Sequence, residues 1–318
     1  MTTQQNFFDF TRASFGITRT EKLLDKINAV APWEDIEKDI LMQRDKGYGG
    51  VGRPNTSIVK LLKCLFLQGM YNLSDPEIED QLRDRMSFQK FVGVSAAEDI
   101  PDETTICKFR NELAEMGFQE NIFTKTQFML AEMGFTVKEG HIQDGTIIES
   151  SKGKKNKKGE NTRDPDATFL KKNGETYCGY KGHIETDIKA GFIMNTTYTT
   201  ASVHDSQQQD ALMLGEETEG YGDSAYGMSN NKNEYYEAHG IKVQFHEKGV
   251  RGKPLTYLQK EMNRIKSNIR AKVEHPFAWI KVRYMYTKTR YRGIMKNSMH
   301  WFFICAIYNF ERIARQYA

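Results

Sequence analysis

Apolar residues recur every three or four positions through TSIVKLLKCLFLQGMYN (56–72), a period that predicts a helix. LSDPEIEDQLRD (73–84) opens with Ser74 as N-cap, Pro76 in the first turn and Glu77 three residues after the cap, the pattern of a capping box. PDETTICKFRNELAEMG (101–117) predicts a further helix ending at a glycine. Residues 41–115 therefore form a helical N-terminal domain. Residues 1–40 read as an arm with short helical pieces, and residues 116–138 as a connecting helix.

Beyond residue 138 the period changes. GHIQDGTIIES (140–150) is rich in β-branched residues, and YCGYKGHIETDI (177–188) with GFIMNTTYTTA (191–201) predicts two strands joined at Lys189-Ala190-Gly191. Then come a helix, DSQQQDALML, with Asp205 as N-cap, a short strand ending in EGYGDSAYG, a helix NKNEYYEAHG, a strand IKVQFHEKG and a long helix over 256–284. NSMHWFFICAIYNFERIAR (297–315) predicts a last helix, its aromatics dense enough to be core. Three strands, helix, strand, helix, strand and long helix fit a layered α/β domain over 139–318. Between the first two strands, SSKGKKNKKGENTRDPDAT (150–168) has five lysines in seven residues and no apolar run. It reads as a mobile loop, either simply solvated or, through Lys154 and Lys155, a clamp on a phosphate backbone.

Composition narrows the class. The chain has 318 residues, 39% of them hydrophobic and 12% aromatic, enough for a sizeable core. No run of about 18 apolar residues suggests a membrane span, and the N-terminus lacks a signal-peptide pattern, so an intracellular protein is expected. Cys64, Cys107, Cys178 and Cys305 are widely spaced and read as free thiols rather than a zinc site or a disulfide framework. Net charge is only +3, yet Lys248 to Lys296 holds 14 Lys and Arg against two acids. Such a block either attracts phosphates or is a solvated face. Residues 41–115 carry ten bases and twelve acids, so that block is not charged for DNA.

Three acids stand out by context. Asp144 is mid-strand, where a charge needs a partner or a cation. Asp223 ends a short strand among small residues, and Glu274 lies within the basic helix. Singly, each has an ordinary structural reading as buried acid, turn residue or salt-bridge partner. United by a fold, they would repel unless divalent cations joined them, and hard oxygen donors suit Mg²⁺ or Mn²⁺. Arg270 and Glu274 are i,i+4 neighbours, and Lys281 lies two turns beyond Glu274. Ile269, Val273 and Ile280 form a flanking apolar stripe, while Pro276 is positioned to kink the helix or restart it. Tyr284, Tyr286 and Tyr291 interleave with Arg283, Lys288, Arg290 and Arg292, a mix suited to DNA contact or to a snorkelling surface. His204 reads as a loop stabiliser, and His275 as structural rather than catalytic.

DGT, YGDSAYG and RAKVEHPFAWIKVRY resemble the three catalytic motifs of bacterial insertion-sequence transposases of the DDE class, in the group related to insertion-sequence families four and five. The third motif of that group reads Tyr-x2-Arg-x3-Glu-x6-Lys. Arg270, Glu274 and Lys281 match it, while Ser267 stands where the tyrosine would be. LSDPEIEDQLRDRMSFQKFVG with IPDETTICKFRNEL resembles the helical N-terminal domain of the same enzymes, and the likeness runs over about residues 33–315 in order.

The resemblance implies an RNase H-like catalytic domain, a mixed sheet flanked by helices, with an all-α DNA-binding domain before it. Asp144, Asp223 and Glu274 would be catalytic and would hold two Mg²⁺ or Mn²⁺ ions. Arg270 and Lys281 would grip DNA backbone. The partners implied are double-stranded DNA (element ends and target) and a second copy of the chain when two ends are synapsed. The setting implied is cytoplasmic and nucleoid-associated. The activity implied is binding of terminal inverted repeats, metal-dependent hydrolysis and joining of 3′-hydroxyl ends to target DNA. A catalytically silent DNA-binding relative is the alternative, and the intact set of three acids argues against it.

Overall fold

The computed structural model describes residues 16–44, 56–95, 100–135, 140–154, 156–157, 161–172, 174–214, 218–222, 236, 238, 240–249 and 252–316. By contact the chain divides into two units, Met1–Lys125 with Asn309–Ala318, and Thr126–Tyr308.

The first unit is helical: α1 (Arg19–Val30), α2 (Trp33–Gln43), α3 (Ile58–Tyr71), α4 (Asp75–Asp84), α5 (Met86–Val92), α6 (Glu103–Glu115) and the start of α7 (Gln119–Glu132). The segment expected to be an arm supplies α1 and α2, whose Leu24, Ile27, Trp33, Ile36 and Ile40 are buried. Helix α3 is buried almost all round, Lys63 and Gln68 included. Asn72, left-handed at φ 56°, ends it. The expected capping box forms at Ser74 and Glu77, with Pro76 in the first turn. Trp33, Phe66, Phe91 and Phe310 pack with ring centroids 5.5–6.4 Å apart. Lys63 Nζ lies 5.7 Å over Trp33 and 5.6 Å over Phe91, so the rings solvate a cation that burial would otherwise penalise. Burial lowers its pKa.

Polar side chains fix how these helices meet. Arg110 of α6 grips Asp75 of α4 with two bonds, of 2.5 and 2.7 Å, and Gln68 of α3 donates to the same carboxylate at 2.7 Å. Asp102 caps α6 by accepting from Thr105 N–H, and the hydroxyl of Thr104 with that bond holds its pKa down at about 2. Asp102→Ala is expected to cost about 1 kcal/mol in urea denaturation at neutral pH. The folded pKa is depressed, so the cap's contribution is complete above the unfolded carboxylate range and lost as pH falls towards 2.

The second unit is mixed α/β. Its strands are β1 (His141–Glu149), β2 (Thr168–Lys172), β3 (Glu175–Asp187), β4 (Ile193–Thr200), β5 (Glu219–Tyr221) and β6 (Lys242–Val243), in the order β2-β3-β1-β5-β6 with β4 also on β3. Strand β3 pairs antiparallel with β1, β2 and β4, whereas β5 runs parallel to β1 and β6 parallel to β5. The β3–β4 hairpin turns where the sequence predicts, closed by Asp187 accepting from Ala190 and Phe192 N–H, with Gly191 at φ 68°.

Four strands, rather than the expected three, precede the next helical turn. The stretch expected as a mobile loop ends in β2, and its described residues are anchored. Asn161 accepts from the backbone of Gly153 and Arg163 and donates to Ser151 O. Buried Asp164 accepts from Tyr180 and Ser150 hydroxyls and from Gly293 N–H. Lys152, Lys154 and Lys157 remain exposed.

After β4 the expected helix shortens to a 3₁₀ turn, Asp205–Gln207, and one turn of α8 (Gln209–Leu212). His204, not Asp205, caps it: His204 Nδ1 accepts from Ser206 N–H, while the buried ammonium of Lys181 draws the Asp205 carboxylate to 3.0 Å. The expected strand end at Asp223 and most of the expected helix over 231–240 lie outside the described residues.

The expected long helix is four pieces of different winding: α9 (Tyr257–Arg270), a 3₁₀ turn (Ala271–Val273), α10 (Glu274–Ala278) and a π-helical turn (Trp279–Arg283). Pro276 is the cause sequence offers, since it lacks an N–H and crowds the preceding turn. The final helix, α11 (Ile294–Gln316), is buried along most of its length, as the aromatic density predicts. Gly182 of β3 leaves the space that the Trp301 indole fills, and Trp301 Nε1 donates to Thr196 Oγ1 at 2.7 Å. No helix among the described residues is long and apolar enough to cross a membrane.

Candidate active site

In an antiparallel sheet, residues opposite one another share a face. Asp144 lies opposite Ile184, and Ile184 opposite Thr196, so its carboxylate is on the face that receives Trp301. A residue mid-strand on that face would ordinarily be apolar. Asp144 is 9% exposed, and its charge is met in two ways. Oδ1 accepts from Gly145 N–H at 2.8 Å, and Oδ2 accepts from Arg270 Nη2 at 2.7 Å, across 126 residues of chain. The structure thus places a cation against Asp144, which is what the donor chemistry of a desolvated carboxylate requires.

Arg270 is held there by the placement of α9. A capping box at Thr256 and Gln259 starts this helix. Lys266 Nζ donates to Phe245 O at 3.0 Å. His246 lies with Nε2 2.8 Å from Ser267 Oγ and Nδ1 3.3 Å from Gly222 O. Ser267, at the position of the motif's tyrosine, therefore helps His246 bind α9 to the end of β5, one residue before Asp223. His246 was not among the expected residues, and a lone histidine after a strand gives no pattern to find it by.

Glu274, four residues beyond Arg270, begins α10 and is exposed, while Val273, Phe277 and Ile280 bury the opposite side. Lys281 is half-buried. Its pKa is lowered, first by burial and then by the nearby ammonium of Lys172 on β2, against the opposing pull of Glu274 and Glu149.

Arg283 is exposed, 6.0 Å over the Trp279 ring. Thr287 O accepts from Glu149 N–H and Thr289 N–H donates to Glu149 O, so the stretch leading to Arg290 and Arg292 runs beside the end of β1. Arg292 is exposed and Arg290 half-buried. Lys154 is exposed in the anchored segment after β1. Lys155 and Asp223 lie outside the described residues. Tyr284 and Tyr286 are 0% and 1% exposed, so both are core and neither is a stacking surface for bases; Tyr291 packs on His300 instead. His275 lies 3.3 Å from the Tyr308 hydroxyl and its ring 5.2 Å from that of Trp279, a structural setting. Among the described residues no three His, Cys, Asp or Glu are grouped to hold a metal.

The opposite face of the sheet carries a polar layer absent from the sequence reading. Lys181 Nζ bonds Asp205 and Val203 O, and His183 Nε2 lies 2.9 Å from Thr199 Oγ1 with Nδ1 3.7 Å from Asp205. Burial lowers the His183 pKa to about 4, so the ring is neutral at physiological pH. A side chain at Gly145 would meet His183 and Asp205, which explains the glycine after Asp144. The available signal was Lys181, His183 and Glu185 at every second position of a strand.

A solved structure titled "Cryo-EM structure of piggyBac transposase synaptic complex with hairpin DNA (SNHP)" is 11% identical to the chain, covering 93% of this chain and 74% of that one, with a TM-score of 0.44. That likeness is too distant to support an argument. Sequence families are decisive: one described as "Transposase domain (DUF772)" matches residues 15–112, and one described as "Transposase DDE domain" matches residues 137–310. With more than half its length in the second match, the chain belongs to the DDE transposase family.

Proposed function

We propose that this transposase binds the terminal inverted repeats of an insertion sequence of the family four and five group, hydrolyses DNA there and joins the freed 3′-hydroxyls to target DNA. The observation that carries this reading is Asp144, a charge mid-strand at the inner face of a sheet, bound to the arginine of an Arg-x3-Glu turn. The strand order, with β1 between antiparallel β3 and parallel β5, is what an RNase H-like domain requires, and we assign that fold to the second unit.

Asp144, Asp223 and Glu274 would hold two Mg²⁺ or Mn²⁺ ions, which take hard carboxylate oxygens as ligands. The assignment of Asp223, which lies outside the described residues, rests on the motif YGDSAYG. Such ions, when bound, activate a water or a 3′-hydroxyl and stabilise the leaving oxygen. Arg270 and Lys281 position the scissile strand through its phosphates, and Lys154, Lys155, Arg283, Arg290 and Arg292 extend the grip along the backbone. The helical unit contributes end recognition, and two copies act together on paired ends.

DNA carrying the repeats that flank the gene tests the reading, incubated with Mg²⁺ or Mn²⁺ and wild type, Asp144→Asn or Glu274→Gln. Metal-dependent nicking at the repeat boundary, lost in both variants, is expected. Specific binding without cleavage under any metal would overturn the enzymatic assignment. A phosphate contact has a separate signature: Lys281→Ala should weaken binding to all sequences alike and reduce the slope of log K against log salt by roughly one.

A further inference from the structure

Both oxygens of Asp144 are engaged, Oδ1 by Gly145 N–H and Oδ2 by Arg270 Nη2. The oxygen that takes the guanidinium at 2.7 Å cannot at the same time face a divalent ion, because the two cations would repel across a few ångströms of poorly solvated space. The Asp144 side chain is 12% exposed, and that of Arg270 is 30% exposed. Of the two, the guanidinium is the more exposed and has a way out to solvent or to an anion beside it. Helix α9 itself is tied down by Lys266 on Phe245 O and by His246 at Ser267, so the exchange is a movement of the arginine side chain rather than of the helix.

We propose that Arg270 is a resident counter-ion of Asp144, an autoinhibitory contact that yields the carboxylate to metal when a DNA phosphate takes the guanidinium. This rests on the reading of Asp144 as a metal ligand. Metal loading and DNA binding are thereby linked in both directions, as any coupling between two equilibria must be. The free protein holds metal weakly, and DNA switches the site on by removing its internal competitor. Arg270 thus acts twice, silencing the carboxylate in the absence of DNA and positioning the phosphate in its presence.

The test is Mn²⁺ binding, read by calorimetry and by the loss of the free-ion electron paramagnetic resonance signal, with the full chain and no DNA. Arg270→Gln is expected to bind Mn²⁺ about tenfold more tightly than wild type, within the usual range of coupling between sites. A short duplex of the element end should tighten Mn²⁺ binding to wild type by more than it does in Arg270→Gln. Arg270→Lys, which keeps the charge on a point donor, should fall between the two and serves if the glutamine variant melts early. Asp144→Asn separates the two claims. If it abolishes Mn²⁺ binding while Arg270→Gln leaves the affinity unchanged or weaker, the exchange is wrong and the ligand stands. If Asp144→Asn leaves Mn²⁺ binding intact, the ligand assignment is wrong, and the exchange falls with it.

Discussion

Glu274→Gln should reduce strand cleavage by at least roughly a thousandfold, equivalent to about 4 kcal/mol of barrier, while leaving the melting temperature within a degree or two of wild type. The two halves of that expectation have different origins. Glu274 is exposed at the start of α10, and an isosteric neutral substitution at an exposed position changes stability by about 0.5 kcal/mol or less. Its proposed role as a hard oxygen ligand needs the negative charge, which glutamine lacks. Asp144→Asn should abolish cleavage equally but is the less clean experiment. It removes the acceptor charge from a partly buried guanidinium, which costs about 1–3 kcal/mol. Supercoiled substrate and a denaturing gel measure the first quantity, and thermal unfolding the second. A Glu274→Gln enzyme that cleaves at more than a tenth of the wild-type rate would remove Glu274 from the metal site.

The second large effect concerns stability and lies in the helical unit. Arg110→Ala should destabilise it by about 2–3 kcal/mol, the cost of removing charge-assisted bonds from a part-buried carboxylate. Arg110 is 7% exposed, and without it the carboxylate of Asp75 retains only Gln68 among the partners described above. Against a total of about 5–15 kcal/mol for a domain, such a loss is severe. The pH dependence carries a second signature. Burial raises the pKa of Asp75, but the bonds from Arg110 and Gln68 outweigh it, so the folded value is depressed. The pair's contribution is therefore complete above the unfolded carboxylate value, about 3.9, and is lost as pH falls through the lower folded value. Urea titrations between pH 5 and 2 should show wild type losing this stability and the variant having less to lose.

Much of the architecture was legible from period and punctuation. The capping box at Ser74 and Glu77, the glycine-turned β3–β4 hairpin and the helical spacing of α3 follow from local rules that tertiary structure did not override. Strand β2 was hidden because Thr168 to Lys172 follows a long polar stretch and shows no alternation; its pairing with Tyr177 and Cys178 supplies what its sequence does not. Asp144 announced itself as a charge where a strand should be apolar. Its pairing with Arg270 was not legible, since no pattern within either segment encodes a contact 126 residues away. The tyrosines at 284 and 286 misled for a related reason: alternation with arginine looks the same whether the aromatic faces DNA or the core.

The division of α11 bears on how the chain is made. Residues Asn309 onward belong with the N-terminal helices, and Phe310 closes the aromatic cluster that Trp33, Phe66 and Phe91 begin. During synthesis the ribosome delivers the first three rings long before the fourth, with a delay of roughly 11–44 s at ordinary elongation rates. Until Phe310 has been made, the helical unit carries an incomplete apolar face, which chaperones or the neighbouring nascent chain would meet first. A product cut short before Asn309 would thus be compromised in its N-terminal helices.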